Sequence, residues 1–214
     1  MQAVFMHFDR DGNRKYMVEP EWRAFFAAAD RAEPDTRAFC WTLARTGGRL
    51  TEARNLTARS FDAATCCVVI RCLKRRYLVH RQVPISHEVF DLVETTFDIA
   101  ARRADPARID KKLWWWGRTT AWGRVKKVCQ DAGLPDFLCM PRVLRHTFAI
   151  EGTAIQGVPI GLMKDLLGHT RLESTIKYST PVGAIARSFS DRMYSGSRDQ
   201  GANPTFFIVP HGVS

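Results

Sequence analysis

The run TCCVVIRCL, Thr65 to Leu73, interrupts a chain whose apolar residues otherwise recur at helical spacing. It is β-branched and apolar, and YLVHRQVPI follows it after the basic turn around Lys74, Arg75 and Arg76. Two such runs about a short polar turn predict a β-hairpin, here without the usual glycine. On either side the pattern is that of amphipathic helices. The fold class expected is therefore α+β: mainly α-helical, with a small antiparallel β-sheet inserted.

The helical segments can be placed. Pro20 suits a first helical position, and Trp22, Phe25, Phe26 and Ala29 follow at helical spacing up to Arg31. A second helix runs from about Thr36 to Arg45 and stops at Gly47-Gly48; a third begins near Leu50. Helix returns from Ser86 to Ala101. Another spans Arg118 to Asp131, with Ala121, Trp122, Val125, Val128 and Cys129 on its apolar stripe. Three more are expected: Pro141 to about Gly157, Pro159 to Leu167, and one from Arg171. Residues 1–17 read as a loosely structured lead-in, with Asp9-Arg10-Asp11-Gly12 as a turn. Its glycine is misplaced for a calcium loop. After Thr180 comes a polar linker ending in TFFIV, an apolar plug that either folds back or docks on a neighbouring subunit.

No apolar run is long enough to span a bilayer, and the start lacks the order of a signal peptide. A cytoplasmic protein is expected. Lys plus Arg number 32 against 22 for Asp plus Glu, a formal charge of +10. Such an excess, largely arginine, points to a polyanion partner. Arg118, Arg124, Lys126 and Lys127 on the helix from Arg118, with Arg75 and Arg76 at the hairpin turn, are candidate contacts to a nucleic-acid backbone. The WWW run, Trp114 to Trp116, reads as core or partner contact. The six cysteines form no CxxC pair, so neither a zinc site nor a disulfide framework is expected. Cys66 and Cys67, adjacent on a strand, face opposite sides.

Chemistry concentrates in three stretches. In LLGHTRLESTIKY, Gly168 suits a helix C-terminus, and Thr170 with Glu173 fits a capping box that starts the next helix. His169 is pinned between them, and Tyr178 is expected about two turns into that helix. In PRVLRHTFAIEG, Arg142 and Arg145 share a helix face, which is costly unless an anion lies between them. In TGGRLTEARNL, Arg49 follows two glycines that permit close approach, and Glu52 either orients it or only pairs with it on the surface. Lys74 is at the hairpin turn, able to reach into a cleft. His80 and His87 are given no role.

These stretches and the hairpin, in this order, resemble the catalytic domain of the tyrosine recombinase (phage integrase) family. The resemblance runs from about Tyr16 to Thr180. It implies a domain at residues 16–180, with a lead-in at 1–15 and a tail at 181–214 that is a candidate trans-docking segment. It further implies site-specific cutting and rejoining of double-stranded DNA through a 3′-phosphotyrosyl link, without metal or cofactor. Tyr178 would be the nucleophile. Arg49 and Arg145 would clamp the phosphate, His169 would hydrogen-bond it, and Lys74 would protonate the leaving 5′ oxygen. Arg142 occupies a position where the family usually has His; it can bind phosphate but cannot act as a base. His146, one residue past Arg145 and about 100° round the helix, reads as structural. No separate N-terminal DNA-gripping domain is expected. By the same resemblance the chain would be a tetramer on DNA and a monomer or weak oligomer when free. Accessory DNA-binding proteins and a bacterial, nucleoid-associated location are also implied. The alternatives are a non-catalytic DNA-binding remnant and strand relaxation of the type IB topoisomerase kind.

Overall fold

The computed structural model describes residues 7–73 and 77–178. Lys74, Arg75 and Arg76, the first six residues and the tail from Ser179 with its apolar plug lie outside the described residues.

Helix α1 (Glu19–Asp30) opens with Pro20 in its first turn and buries Trp22, Phe25, Phe26 and Ala29. Helix α2 (Pro34–Thr46) buries Phe39, Cys40 and Leu43 and ends at Gly47, whose φ of 57° is left-handed. There a β-carbon would lie 2.4 Å from the Phe148 ring, so only glycine fits the turn. Helix α3 (Leu50–Arg54) follows at once. The sheet comes next, with strands β1 (Phe61–Asp62), β2 (Cys67–Arg71) and β3 (His80–Pro84) antiparallel in that order. Val68 pairs with Val83 and Ile70 with Arg81, which fixes the register that carries Arg81 inward. Then come α4 (His87–Phe97), α5 (Ile99–Ala104), α6 (Arg118–Asp131), α7 (Pro141–Ile150), α8 (Ile160–Leu167) and α9 (Glu173–Ile176). The α+β expectation holds.

The core runs between the helices. Phe39 meets Trp114 and Trp116 edge-on, with ring centroids 5.2 and 5.5 Å apart. Trp114 and Trp116 are buried, but Trp115 between them is 84% exposed, because this stretch is extended rather than helical. Two of the three tryptophans thus belong to the core.

Six local expectations need correction. Residues 7–17 are not loose: the Asp9 carboxylate accepts the backbone N–H of Asp11 and Asn13, Phe8 bridges to Arg14, and Tyr16 and Met17 are buried. The hairpin gains a third strand, β1, too short to leave any periodicity. Its turn places Cys66 outside the strand at φ 49°, so Cys66 and Cys67 are not strand neighbours. The Ser86–Ala101 helix breaks at Asp98, which adopts φ 53° and accepts the N–H of Ala101; short polar side chains tolerate this conformation. The helix from Pro141 loosens after Ile150 into a π turn, Glu151–Ile155. Finally, Thr170 caps nothing. The chain bends so that His169 meets Thr175, the helix shrinks to α9, and Tyr178 lies in the turn beyond it.

Candidate active site

Arg145 is the centre of the site. Its guanidinium donates from Nη1 to the Gly47 carbonyl at 2.6 Å and from Nη2 to the Leu167 carbonyl at 2.7 Å. Both carbonyls belong to helix C-termini, where they lack intrahelical partners. The sequence signals that end α2 and α8, Gly47 and Gly168, therefore also build the seat for Arg145. Nη2 lies a further 2.9 Å from Nε2 of His169. None of these partners carries a formal charge. Burial and then the neighbouring Arg49 push the Arg145 pKa down to about 10.

Of the two readings of Glu52 the buried one holds: it orients Arg49. Its backbone N–H and its Nη1 reach the two Glu52 carboxylate oxygens at 3.0 and 2.7 Å. Sequence reasoning missed the third member, Arg81. From β3 it donates to Glu52 at 2.8 Å and to the Leu166 carbonyl at 2.8 Å. Glu52 is 2% exposed, and its carboxylate is held ionised below the usual range by Arg81 and Arg49 against the cost of burial. Strand periodicity placed Arg81 on a face shared with Val83, the one signal available for it.

The Tyr178 side chain is buried, 2% exposed, and its phenol oxygen lies 2.8 Å from Nδ1 of His146. Burial pushes the phenol pKa up to about 12, with Arg145 and Arg49 opposing. His146, read from sequence as structural, is thus the nearest polar partner of the candidate nucleophile. The same 100° offset that turns it away from Arg145 aims it at Tyr178. The His169 ring is stacked against Tyr178 at 6.4 Å between centroids, and Lys177 Nζ lies 4.9 Å from the tyrosine ring. Thr153, in the π turn, contacts the Tyr178 carbonyl at 2.7 Å.

Two cavities open beside Arg49. One, of about 400 Å3, is lined by Arg49, Cys72, Gly168, His169, Arg171 and Ser174. The other, of about 320 Å3, is lined by Arg49, Arg118, Trp122, Arg142 and Arg145 among others. Arg142 and Arg118 thus join the cluster from its edge. The rest of the α6 basic face lies elsewhere. Arg124 is spent on Asp35, Thr36 and the face of Trp116; Lys126 is 3.8 Å from Asp136, and Lys127 pairs with Asp131. A wider cavity of about 520 Å3 beside β2, lined by Glu52, Arg59, Arg71, His80 and Lys112 among others, is reached by neither Arg49, Arg145, His169 nor Tyr178. Among the described residues no cluster of three His, Cys, Asp or Glu side chains is placed to hold a metal ion, and no helix is long and apolar enough to cross a membrane.

The sequence matches the Phage integrase family over residues 15–182. No curated protein matches it. Among solved structures it is similar to XerA recombinase, with a TM-score of 0.68 at 22% identity over 92% of this chain and 66% of that one. The catalytic domain of bacteriophage HP1 integrase gives 0.57 at 24% identity, covering 88% of this chain and 98% of that domain. The Tn1549 transposon integrase, in complex with transposon right end DNA, gives 0.63 at 17% identity over 87% and 69%. The chain spans 66% of the XerA recombinase and 59% of the XerH recombinase bound to difH substrate. What is shared at these identities is the fold.

Proposed function

The chain belongs to the phage integrase family, and on that premise we propose that it is a site-specific recombinase that cuts and rejoins double-stranded DNA through Tyr178. The phenol oxygen attacks a backbone phosphorus. The bond to the 5′ oxygen breaks, and the 3′ phosphate remains joined to the tyrosine. A free phenol is a weak nucleophile near neutral pH, and the transition state gathers charge on the non-bridging oxygens. Arg49 and Arg145 meet that charge, with His169 holding Arg145 from the side and Arg142 at the rim, and no metal is required. Lys74 protonates the departing 5′ oxygen. A second strand's 5′-hydroxyl then reverses the attack, so ligation needs no nucleotide cofactor.

The observation that carries this reading is the pairing of Arg49 and Arg145 at one cavity. Among the described residues the hydrogen-bond partners of Arg145 are neutral, and with Glu52 shared between Arg49 and Arg81 the cluster keeps an excess of positive charge that a bound anion offsets. Two of the similar structures were solved with DNA, which favours DNA as that anion's source. Arg118, Arg75 and Arg76 extend the contact along the backbone. A tetramer on paired sites, joined by the tail after Thr180, completes the proposal.

The test is a covalent trap. The protein is mixed in EDTA with nicked duplexes drawn from the DNA flanking its own coding sequence, and denaturant-resistant adducts are sought. The expected adduct forms without metal and is absent from Tyr178→Phe. Arg142, which can take no proton, favours a second reading, a protein that only binds DNA. Tight binding of these duplexes with no adduct selects that reading.

A further inference from the structure

We infer that His146 is the group that receives the Tyr178 proton. The inference rests on the strand-transfer reading above and deepens it. Three observations carry it. The phenol oxygen and Nδ1 of His146 are 2.8 Å apart, within direct proton-transfer reach. The rings are tilted at 53° with centroids 5.5 Å apart, an approach that brings the hydroxyl rather than the ring face to the imidazole. No other hydrogen bond from a side chain to the phenol oxygen is present among the described residues, and the guanidinium of Arg145 and that of Arg142 can only donate.

As Oη bonds to phosphorus, the Oη–H bond breaks and its proton moves to Nδ1, giving imidazolium. The electron pair of the P–O5′ bond departs with the 5′ oxygen, which takes a proton from Lys74 or water. In the return reaction the 5′-hydroxyl attacks phosphorus and gives its proton to neutral Lys74 or water, the P–Oη bond breaks, and the imidazolium returns its proton to the departing phenolate.

Electrostatics decide when this happens. Burial, then Lys177, Arg145, Lys15 and Arg142, hold His146 neutral, with a pKa pushed down to about 3. A phosphate bound between Arg145 and Arg142 offsets the repulsion from those cations. The imidazole becomes a better base only once DNA is in place. The groups facing it come from three parts of the chain: Arg142 and Arg145 on its own helix, Lys177 and Tyr178 beyond α9, and Lys15 before α1. A phenol held by a neutral imidazole is ready and unreactive, which suits a nucleophile that must not attack without substrate.

The test compares the unsubstituted chain with His146→Gln and His146→Gly in single-turnover adduct formation on the trapped nicked duplex. Glutamine accepts the phenol hydrogen bond but takes no proton. The expected result for His146→Gln is a roughly 100-fold slower adduct with unchanged affinity for the duplex. The acid limb of the pH–rate profile disappears, and added imidazole restores rate to His146→Gly. A glutamine variant at or above the unsubstituted rate overturns the inference and leaves the strand-transfer reading intact. So does a slow variant that keeps the acid limb while imidazole restores nothing to His146→Gly. Should both variants fail to fold, the unsubstituted chain still decides while it is folded, since a rate with no acid limb between about pH 6.5 and the His146 value of about 3 overturns it. No adduct from the unsubstituted chain overturns both readings together.

Discussion

Nη2 of Arg145 lies 2.9 Å from Nε2 of His169. A guanidinium can only donate, so Nε2 accepts, and the ring proton resides on Nδ1, which faces Thr175 Oγ1 at 2.8 Å. The neighbours thus hold His169 neutral and in one tautomer. Burial and then Arg145 push its pKa down to about 3. His146 is lowered to a similar value, chiefly by burial. In the unfolded chain both titrate near the ordinary value of about 6.5. Between that pH and about 3 the unfolded chain binds more protons, so stability falls as pH falls through the window. Thermal melts should show loss of stability below about pH 6.5. The double replacement His146→Gln, His169→Gln should flatten that slope; an unchanged slope would refute the assignment.

Glu52 joins two arginines in a buried network, and the arithmetic of buried ion pairs applies. Removing one partner leaves uncompensated charge at a cost of about 3–5 kcal/mol. Glu52→Ala should lose stability on that order in urea titrations. Arg81→Met should cost less, since Glu52 keeps Arg49. It should nonetheless slow adduct formation, because the Leu166 carbonyl and with it the His169 turn lose their tether.

Gly47→Ala tests how the turn serves the clamp. The left-handed conformation costs a non-glycine residue about 1–2 kcal/mol, and the added carbon meets the Phe148 ring. The Gly47 carbonyl also receives Arg145. Adduct formation should therefore fall by more than the loss of folded protein accounts for, measured at a temperature where the variant is fully folded.

The basic face of α6 should divide. Arg118→Ala should weaken DNA binding and lower the salt slope of the affinity by about 1. Arg124→Ala should leave the slope unchanged and lower the melting temperature, because its charge already serves Asp35 and its plane covers Trp116. Equal salt effects from both would contradict this division.

Much of this was legible before any coordinates. The hairpin run, the glycines that end α2 and α8, and the convergence of Arg49, Arg145 and His169 all follow from periodicity, capping chemistry and the resemblance. What stayed hidden was of two kinds. Short elements such as β1 and the bend at Asp98 carry too few residues for any period to register. Long-range partnerships such as Glu52 with Arg81, or His146 with Tyr178, depend on how distant segments meet. The His146 case is instructive. Helix geometry gave its direction correctly, but only the path of the chain after α9 determines what waits there. The capping box at Thr170 failed for the same reason, as a contact between side chains outweighed a local preference.

The seat of Arg145 bears on the order of events during synthesis. One of its carbonyl partners, Gly47, is made 98 positions earlier, and the other, Leu167, comes 22 positions later. A chain emerging from the ribosome holds Arg145 without its second carbonyl anchor until the end of α8 has been translated. The guanidinium proposed to clamp the phosphate is thus fully seated only once the chain has passed Leu167, and a shorter chain holds it by the Gly47 carbonyl without the second anchor.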